Sequence, residues 1–129
     1  MDRPQAVAHP VSHLLGILLM NVIDIEIRQV TLPYDTDRAD ELSRYPDLTQ
    51  RTIYIARTDN GLIGLGESEG VEKTEVIDRY IGSNPFDWIG DETSLGLGTA
   101  MYDLMGKAAG VPVYKLFGQK YRSWVAVSA

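Results

Sequence analysis

The clearest pattern in this chain is a helical one near its C-terminal end. Apolar residues recur there at steps of three and four and so share one helix face: Leu97, Met101, Leu104, Met105 and Ala108. Asp103 and Lys107 are four residues apart with the acid first, the favourable order for an ion pair on a helix. Gly110 and Pro112 end the helix, and Val113 to Phe117 form a second, short apolar turn that Gly118 closes.

Earlier in the chain, apolar and polar residues alternate, as is typical of strands with one buried face. From Val22 onward, Ile23, Ile25 and Ile27 alternate with Asp24, Glu26 and Arg28. Residues 52–58 and 62–67 are two further strands, and the Asp-Asn-Gly sequence at 59–61 predicts a tight turn between them. The pattern predicts a three-stranded antiparallel meander.

A long polar loop interrupts the meander, and helices follow it. Residues 34–50 are polar, rich in acids and without periodicity, and loops of this length are usually functional lids or disordered. In residues 72–81, one helix face carries Val76, Ile77 and Tyr80. Two Gly-Leu-Gly sequences, at 64–66 and 96–98, lack the surroundings of a dinucleotide-binding fingerprint, so we interpret both as turns. The fold class is α+β, a meander followed by a small helical bundle.

We do not expect the first twenty residues to belong to this domain. The apolar run from Leu14 to Met20 is too short to span a bilayer. We interpret residues 1–20 as a leader that is disordered, or that precedes a true start at Met20. His9 and His13 could ligate a metal only if helical, and with Pro10 between them we expect solvated side chains.

Composition excludes several classes of function. The 129 residues suffice for one domain, and the net charge of −6 argues against nucleic acid or an anionic membrane as partner. The sequence has no cysteine, which excludes disulfides, thiolate metal sites and a cysteine nucleophile and fits a cytoplasmic location.

The C-terminal run AMYDLMGKAAGVPVYKLFGQKYRSWVAVSA resembles the end of the N-terminal capping domain of the enolase superfamily, in its mandelate racemase and muconate-lactonising branch. The family usually has a tryptophan where this chain has Tyr102. It usually ends the motif with two glycines, and here Gln119 replaces the second of them. The resemblance extends from about Asn21 to the C-terminus. It implies a capping domain over residues 21–122, shortened around residues 88–96. Residues 123–129 are then the first strand of a (β/α)8 barrel whose remainder is absent.

The resemblance also implies a chemistry. Enzymes of this family abstract a proton α to a carboxylate, with a Lys or His base, and hold the resulting enolate with Mg²⁺ bound to carboxylates of the barrel strands. We therefore expect Mg²⁺ for a full-length enzyme and no catalytic or metal-binding residue in this chain. The capping domain would contribute substrate specificity through two loops, residues 34–50 and 67–71. The candidate substrate-contacting residues are Tyr34 and Tyr45, followed by Ser68 and Glu69.

Two classes of function stay open at this point. The first is the capping domain of a dehydratase, racemase or cycloisomerase that acts on a carboxylate such as a sugar acid. Its partners would be a barrel, in the same or another chain, the substrate and further copies in a homo-oligomer. The alternative is a stand-alone α+β interaction or oligomerisation module without activity, or an unstable fragment. The module would use the apolar face that a barrel normally covers: Val113, Tyr114, Leu116, Phe117 and Trp124.

Overall fold

In a computed structural model, the backbone is described for residues 10–33, 40, 44–45 and 49–127, with side chains from residue 14 onward. Three strands form one antiparallel sheet in the order β1 (Val22–Thr31), β2 (Gln50–Thr58) and β3 (Ile63–Ser68). The predicted meander is confirmed, with Gly61 at a φ of 85° in the turn between β2 and β3.

The helices lie around this sheet. They are α1 (Pro10–Leu18), α2 (Thr74–Tyr80), a 3-10 helix (Pro85–Trp88), α3 (Leu95–Ala109) and α4 (Tyr114–Phe117). The hydroxyl of Ser94 caps α3 by accepting a hydrogen bond from the Leu97 amide at 3.2 Å. Gly110 ends α3 in the left-handed region with a φ of 68°, as its glycine predicts. The α+β fold class is confirmed.

The core lies between α3 and one face of the sheet, which we call the inner face. Tyr54 and Ala56 of β2 point into it and are fully buried. The predicted apolar face of α3 packs against them, and its five residues are buried: Leu97, Met101, Leu104, Met105 and Ala108. Periodicity therefore identified the main packing surface of this domain correctly.

The two Gly-Leu-Gly sequences are part of this packing, so their interpretation as turns was wrong. Gly64 and Gly66 lie in β3, and Gly96 and Gly98 lie in the first turn of α3. A Cβ on Gly66 would clash with the Gly96 carbonyl oxygen, and a Cβ on Gly96 would lie 2.5 Å from the Tyr54 ring. The glycines let helix and strand backbones approach closely, which a single sequence does not reveal because the two motifs are thirty residues apart.

The prediction that Ile23, Ile25 and Ile27 share one face is corrected by a β-bulge. The register with β2 shifts between Val22 and Asp24, so one extra residue lies in β1. Val22 is fully buried as a result, whereas Ile23 is 58% exposed. Ile25 and Ile27 pair with Ala56 and Tyr54 and stay on the inner face.

Part of the predicted leader contacts the domain. Residues 10–18 form α1, and the Asn84 side-chain amide donates to the Ile17 carbonyl at 2.8 Å. Met20 is only 1% exposed. Residues 1–9 lie outside the described part of the chain, and the choice between Met1 and Met20 as the start stays a prediction.

An aromatic cluster fills the corner between α2 and α3. The Tyr80 and Trp88 rings stack with centroids 3.8 Å apart, and the Trp88 indole donates to the Ser83 hydroxyl at 2.7 Å. The Tyr80 hydroxyl donates to an Asp91 carboxylate oxygen at 3.2 Å. Burial, with the nearby Asp91 charge, raises the pKa of Tyr80.

The C-terminal segment leaves this core. Trp124 and Val125 are 77% and 72% exposed, and no strand is assigned between residues 118 and 127. A barrel strand needs parallel neighbours for its backbone groups. The assignment of residues 123–129 to a barrel strand therefore stays a prediction.

Candidate functional site

Both predicted lid loops leave the same end of the sheet, which we call the loop end. Thr31, the last residue of β1, pairs with Gln50, the first residue of β2. Ser68, the last residue of β3, pairs with Thr52, two residues further along β2. The register thus brings together the start of the first loop and the start of the second, although about 35 residues separate them in sequence.

A buried tyrosine holds the second loop. The Tyr54 side chain is fully buried, and its hydroxyl lies 3.1 Å from the Gly70 carbonyl oxygen, to which it donates. The same hydroxyl accepts from the Glu72 amide at 2.9 Å. Ser68 donates to the Gly70 carbonyl at 2.6 Å and lies 3.3 Å from the Tyr54 hydroxyl. One phenol therefore contacts residues 68–72 at three points and hydrogen-bonds two of them, Gly70 and Glu72.

An arginine adds an electrostatic contact on the other face of the sheet. Arg51 of β2 lies 3.3 Å from a Glu67 carboxylate oxygen and 3.6 Å from one of Glu69. The glutamate side chains are 52% and 67% exposed, so each ion pair is screened by solvent and contributes little stability. Their effect is to draw the glutamates toward β2.

One polar atom at the loop end lacks a partner. The Thr52 hydroxyl oxygen is buried beside this network and has no hydrogen bond to any described residue. Leaving a buried hydroxyl unpaired costs about 1–3 kcal/mol. Hydrogen bonding of buried polar side chains is therefore less complete at the loop end than in the rest of the described core.

The candidate residues have different positions. Tyr34 lies outside the described residues. The Tyr45 side chain is described and is 60% exposed. Ser68 ends β3 and Glu69 follows it at the start of the second loop, where Ser68 donates to the Gly70 carbonyl and Glu69 pairs with Arg51. The substrate contacts of all four stay predictions.

Sequence reasoning missed Tyr54. The pattern placed Tyr54 only within the second strand, and nothing in it indicated that the Tyr54 hydroxyl would reach a loop 16 residues away. Strand alternation reports which face a side chain occupies, not the length to which it extends.

Among the side chains of residues 14–33 and 49–127, no group of three or more His, Asp or Glu could hold a metal ion. None of the helices in the described part of the chain is long and apolar enough to cross a membrane.

A separate apolar surface lies at the C-terminal end, and we call it the C-terminal face. Tyr114 and Phe117 of α4 are 45% and 67% exposed. They line a shallow hollow with Tyr121, which is 86% exposed. Val113 and Leu116, which were also predicted for this surface, are half-buried. Exposed aromatic residues in such numbers are typical of a surface that another polypeptide covers.

Comparison with known proteins gives matches among solved structures only. No family model matches this chain, and no curated protein matches it. A protein from Bordetella bronchiseptica RB50 that is assigned to the mandelate racemases, solved with 2-oxoglutarate and phosphate, is 21% identical with a TM-score of 0.54. The match covers 81% of this chain and 33% of that one.

Two further structures match similarly. An isomerase from Streptomyces coelicolor A3(2) is 26% identical with a TM-score of 0.53, over 80% of this chain and 32% of that one. An enolase from Pseudomonas fluorescens Pf0-1, solved with magnesium, potassium and tartrate, is 19% identical with a TM-score of 0.55, over 80% and 33%. This chain thus spans about a third of the length of the solved proteins that it matches.

The described residues therefore have the α+β fold of an N-terminal capping domain. At the level of the fold, these structures confirm the resemblance that the sequence indicated.

Proposed function

We propose that this chain is the capping domain that determines substrate specificity in a Mg²⁺-dependent enzyme of the enolase superfamily. The single observation that supports it best is that both predicted lid loops leave one end of the sheet, with the second held by Tyr54. A rigid loop beside a longer one is suited to closing over the mouth of a barrel and excluding water from a charged intermediate.

The proposed enzyme is a dehydratase, racemase or cycloisomerase. It removes a proton α to the carboxylate of a small substrate such as a sugar acid. Among the matched structures, the presence of 2-oxoglutarate in one and of tartrate with magnesium in another supports a carboxylate substrate and Mg²⁺. The described residues offer no metal site, so we assign Mg²⁺ and the base to a barrel in the same or another chain.

In this proposal the chain itself is not catalytic. Tyr34 and Tyr45 of the first loop, together with Ser68 and Glu69 at the second, contact the substrate, and Ser68 also donates to the Gly70 carbonyl. We place the protein in the cytoplasm, with neither nucleic acid nor membrane as partner.

The first experiment is the intact mass of the native protein from its source cells. This chain has a mass of 14.3 kDa. We expect the native protein to be heavier by the mass of a (β/α)8 barrel, which has about 250 residues. That longer protein, loaded with Mg²⁺, should exchange the α-protons of some carboxylic acids with deuterated water, as seen by NMR. No exchange across a sugar-acid panel would contradict the proposal.

Loop variants of the same protein test the specificity role. Tyr45→Phe and Glu69→Gln should change the ranking of substrates by kcat/KM, while Glu75→Gln, an exposed glutamate of α2, should leave the ranking unchanged. An unchanged ranking in all three variants would contradict a specificity role for the loops.

The second candidate is a stand-alone interaction module, and the exposed C-terminal face favours it. A native mass of 14.3 kDa would support this candidate. Recovery of the native protein in a complex with a barrel-bearing chain would instead support the capping role.

A further inference from the structure

The β1 edge of the sheet is largely open. On the side away from β2, the residues of the described chain that hydrogen-bond β1 are Gly82 and Ser83, and both bind Val22 at its start. At the opposite edge of the sheet, side chains of α3 hydrogen-bond the backbone of β3. From residue 24 to residue 31, β1 keeps one regular register with β2. A regular, uncovered strand edge is a template on which another strand can add.

The register shows which backbone groups lie at this open edge. Opposite residues of an antiparallel pair alternate between those that exchange hydrogen bonds and those that do not. The Leu32 amide donates to the carbonyl of Thr49, its opposite residue, so the even-numbered residues of β1 from 24 onward bond to β2. The amides and carbonyls of Ile25, Ile27 and Gln29 therefore point away from β2. No residue in the described part of the chain hydrogen-bonds them on that side.

The side chains around Ile27 are also incompletely covered. α3 packs mainly on β3 and β2, and Ile27, on the inner face of β1, is 36% exposed. Glu26 and Arg28 flank it on the other face of the sheet, with side chains that are 32% and 63% exposed. An acid, an isoleucine and a base in succession form a self-complementary pattern, because a second copy running antiparallel sets each charge opposite its counterpart.

Pairing two copies of β1 about Ile27 matches both the backbone and the charges. A two-fold axis perpendicular to the sheet sets Ile27 opposite Ile27, and Ile25 opposite Gln29, as hydrogen-bonded pairs. Glu26 of each copy then lies opposite Arg28 of the other in a non-hydrogen-bonded pair, where side chains are closer. Moving the axis by one residue along β1 would instead set Glu26 opposite Glu26 or Arg28 opposite Arg28.

The charges select this register but do not drive the association. Glu26 already contacts Arg28 and Arg57 within its own chain, so pairing with a second copy extends an existing network. The affinity comes from the backbone hydrogen bonds that the open edge leaves available, while opposite charges fix which residues meet.

We propose that the β1 edge binds a second copy of this chain and forms a symmetric dimer with one continuous six-stranded sheet. Residues 25–29 of the two copies pair antiparallel about Ile27, and α3 of both copies lies on the same side of the sheet. One strand pair is small for a specific interface, so the dimer is weak and depends on concentration. This proposal does not rest on the proposed catalytic function.

Single cysteines test the register, because the chain has no cysteine of its own. Ile27→Cys places the two introduced thiols on residues whose Cα atoms would lie about 5.5 Å apart, within the range that a disulfide bridges. Gln29→Cys is the matched control. Residue 29 is exposed on the same face, but it would lie about 14 Å from its copy, since four residues separate the two along the strand.

Mild oxidation followed by intact-mass measurement gives the rate of disulfide linkage, with circular dichroism to confirm folding. Ile27→Cys should form linked dimers about tenfold faster than Gln29→Cys, because pairing raises the effective concentration of its thiols. Equal rates, or faster linkage through residue 29, overturn the proposal.

Amide exchange of the unmodified chain, followed by NMR at increasing concentration, is a second, independent test. The amides of Ile25, Ile27 and Gln29 should exchange rapidly in dilute solution and more slowly as dimers form. By mass action about a fifth of the chains stay monomeric at about ten times the dissociation constant, so exchange there should slow about fivefold. The Glu26 and Arg28 amides, which bond to β2, are the control and should be protected at every concentration.

A chain that stays monomeric at every concentration overturns the proposal. A dimer in which the amides of residues 25, 27 and 29 keep their rates from dilute solution also overturns it, and points to the C-terminal face as the interface instead.

Discussion

The Asp103 carboxylate of α3 accepts a hydrogen bond from the backbone amide of Leu65 in β3 at 2.8 Å. The same carboxylate oxygen lies 2.8 Å from the Lys107 ammonium group, which in turn donates to the Ile63 carbonyl at 2.6 Å. The ion pair that the sequence predicted within a helix thus also binds the free edge of the sheet. Covering such an edge removes a template for unwanted strand pairing.

Removing this carboxylate should destabilise the domain. We expect Asp103→Ala to lower the free energy of unfolding by about 1 kcal/mol, because a hydrogen bond to a charged group is lost and water replaces it at the exposed Leu65 amide. Urea unfolding measures the change, with Glu92→Ala as the control for the loss of one exposed acid. Equal stability losses in the two variants would contradict a role for Asp103 at the sheet edge.

The glycine contact between β3 and α3 predicts a larger effect. Gly66→Ala would place a Cβ against the Gly96 carbonyl, so helix and strand would have to separate. We expect a loss of about 3 kcal/mol or more, at the upper end of what overpacking costs. Gly70→Ala is the matched control, because a Cβ there meets open space and the φ is not left-handed. Thermal and urea unfolding of both variants tests the difference, and a stable Gly66→Ala would show that the helix does not pack this closely.

Tyr54→Phe should loosen the second loop without emptying the core. The ring stays in place, but the Glu72 amide loses its acceptor and the Gly70 carbonyl loses a donor, so we expect a loss of about 1–2 kcal/mol. Hydrogen exchange of the Glu72 amide should become faster than in the wild type.

The control is Tyr102→Phe, because the Tyr102 hydroxyl also accepts one backbone hydrogen bond, from Gly90 at 2.9 Å. It should leave exchange at Glu72 unchanged. If Glu72 exchanged equally fast in both variants, the loop would not be held by Tyr54.

Stability should fall in acid partly through Glu26. Hydrogen bonds from Arg57 and Arg28 hold the pKa of Glu26 below its usual 4.5 in the folded state. A carboxyl group with a depressed folded pKa stabilises the fold above its unfolded pKa and loses that contribution as pH falls through the folded value. Glu26→Gln should therefore reduce the loss of stability below about pH 4.5.

Urea unfolding at a series of pH values from neutral to acid measures this dependence, with Glu92→Gln as the control for one negative charge. A pH dependence that is unchanged in Glu26→Gln would show that the ion pairs between β1 and β2 do not contribute to acid sensitivity.

Local signals in the sequence predicted most of the elements. Periodicity and the Gly110–Pro112 stop located α3, and alternation with the Asp-Asn-Gly turn located the β2–β3 hairpin. Such signals succeed because backbone preferences and side-chain periodicity act over a few residues. Alternation failed at Ile23, because a bulge inserts a residue without leaving any mark on the alternation itself.

From the sequence, only the two loops of the candidate site could be located. The register that brings the ends of β1 and β3 together follows from the meander, so the loop end could be anticipated. The anchoring of the second loop could not be, because it depends on the reach of one phenol across the sheet.

By itself, the sequence determined the position of α3, the side of α3 that faces the core and the β2–β3 hairpin, since these depend on neighbours along the chain. Only the tertiary structure decided that Gly66 meets Gly96, that Asp103 binds the edge of β3 and that Tyr54 holds residues 68–72. The partners in these contacts are 14 to 38 residues apart. They are set by the close approach of packed backbones and side chains, which no short-range pattern encodes.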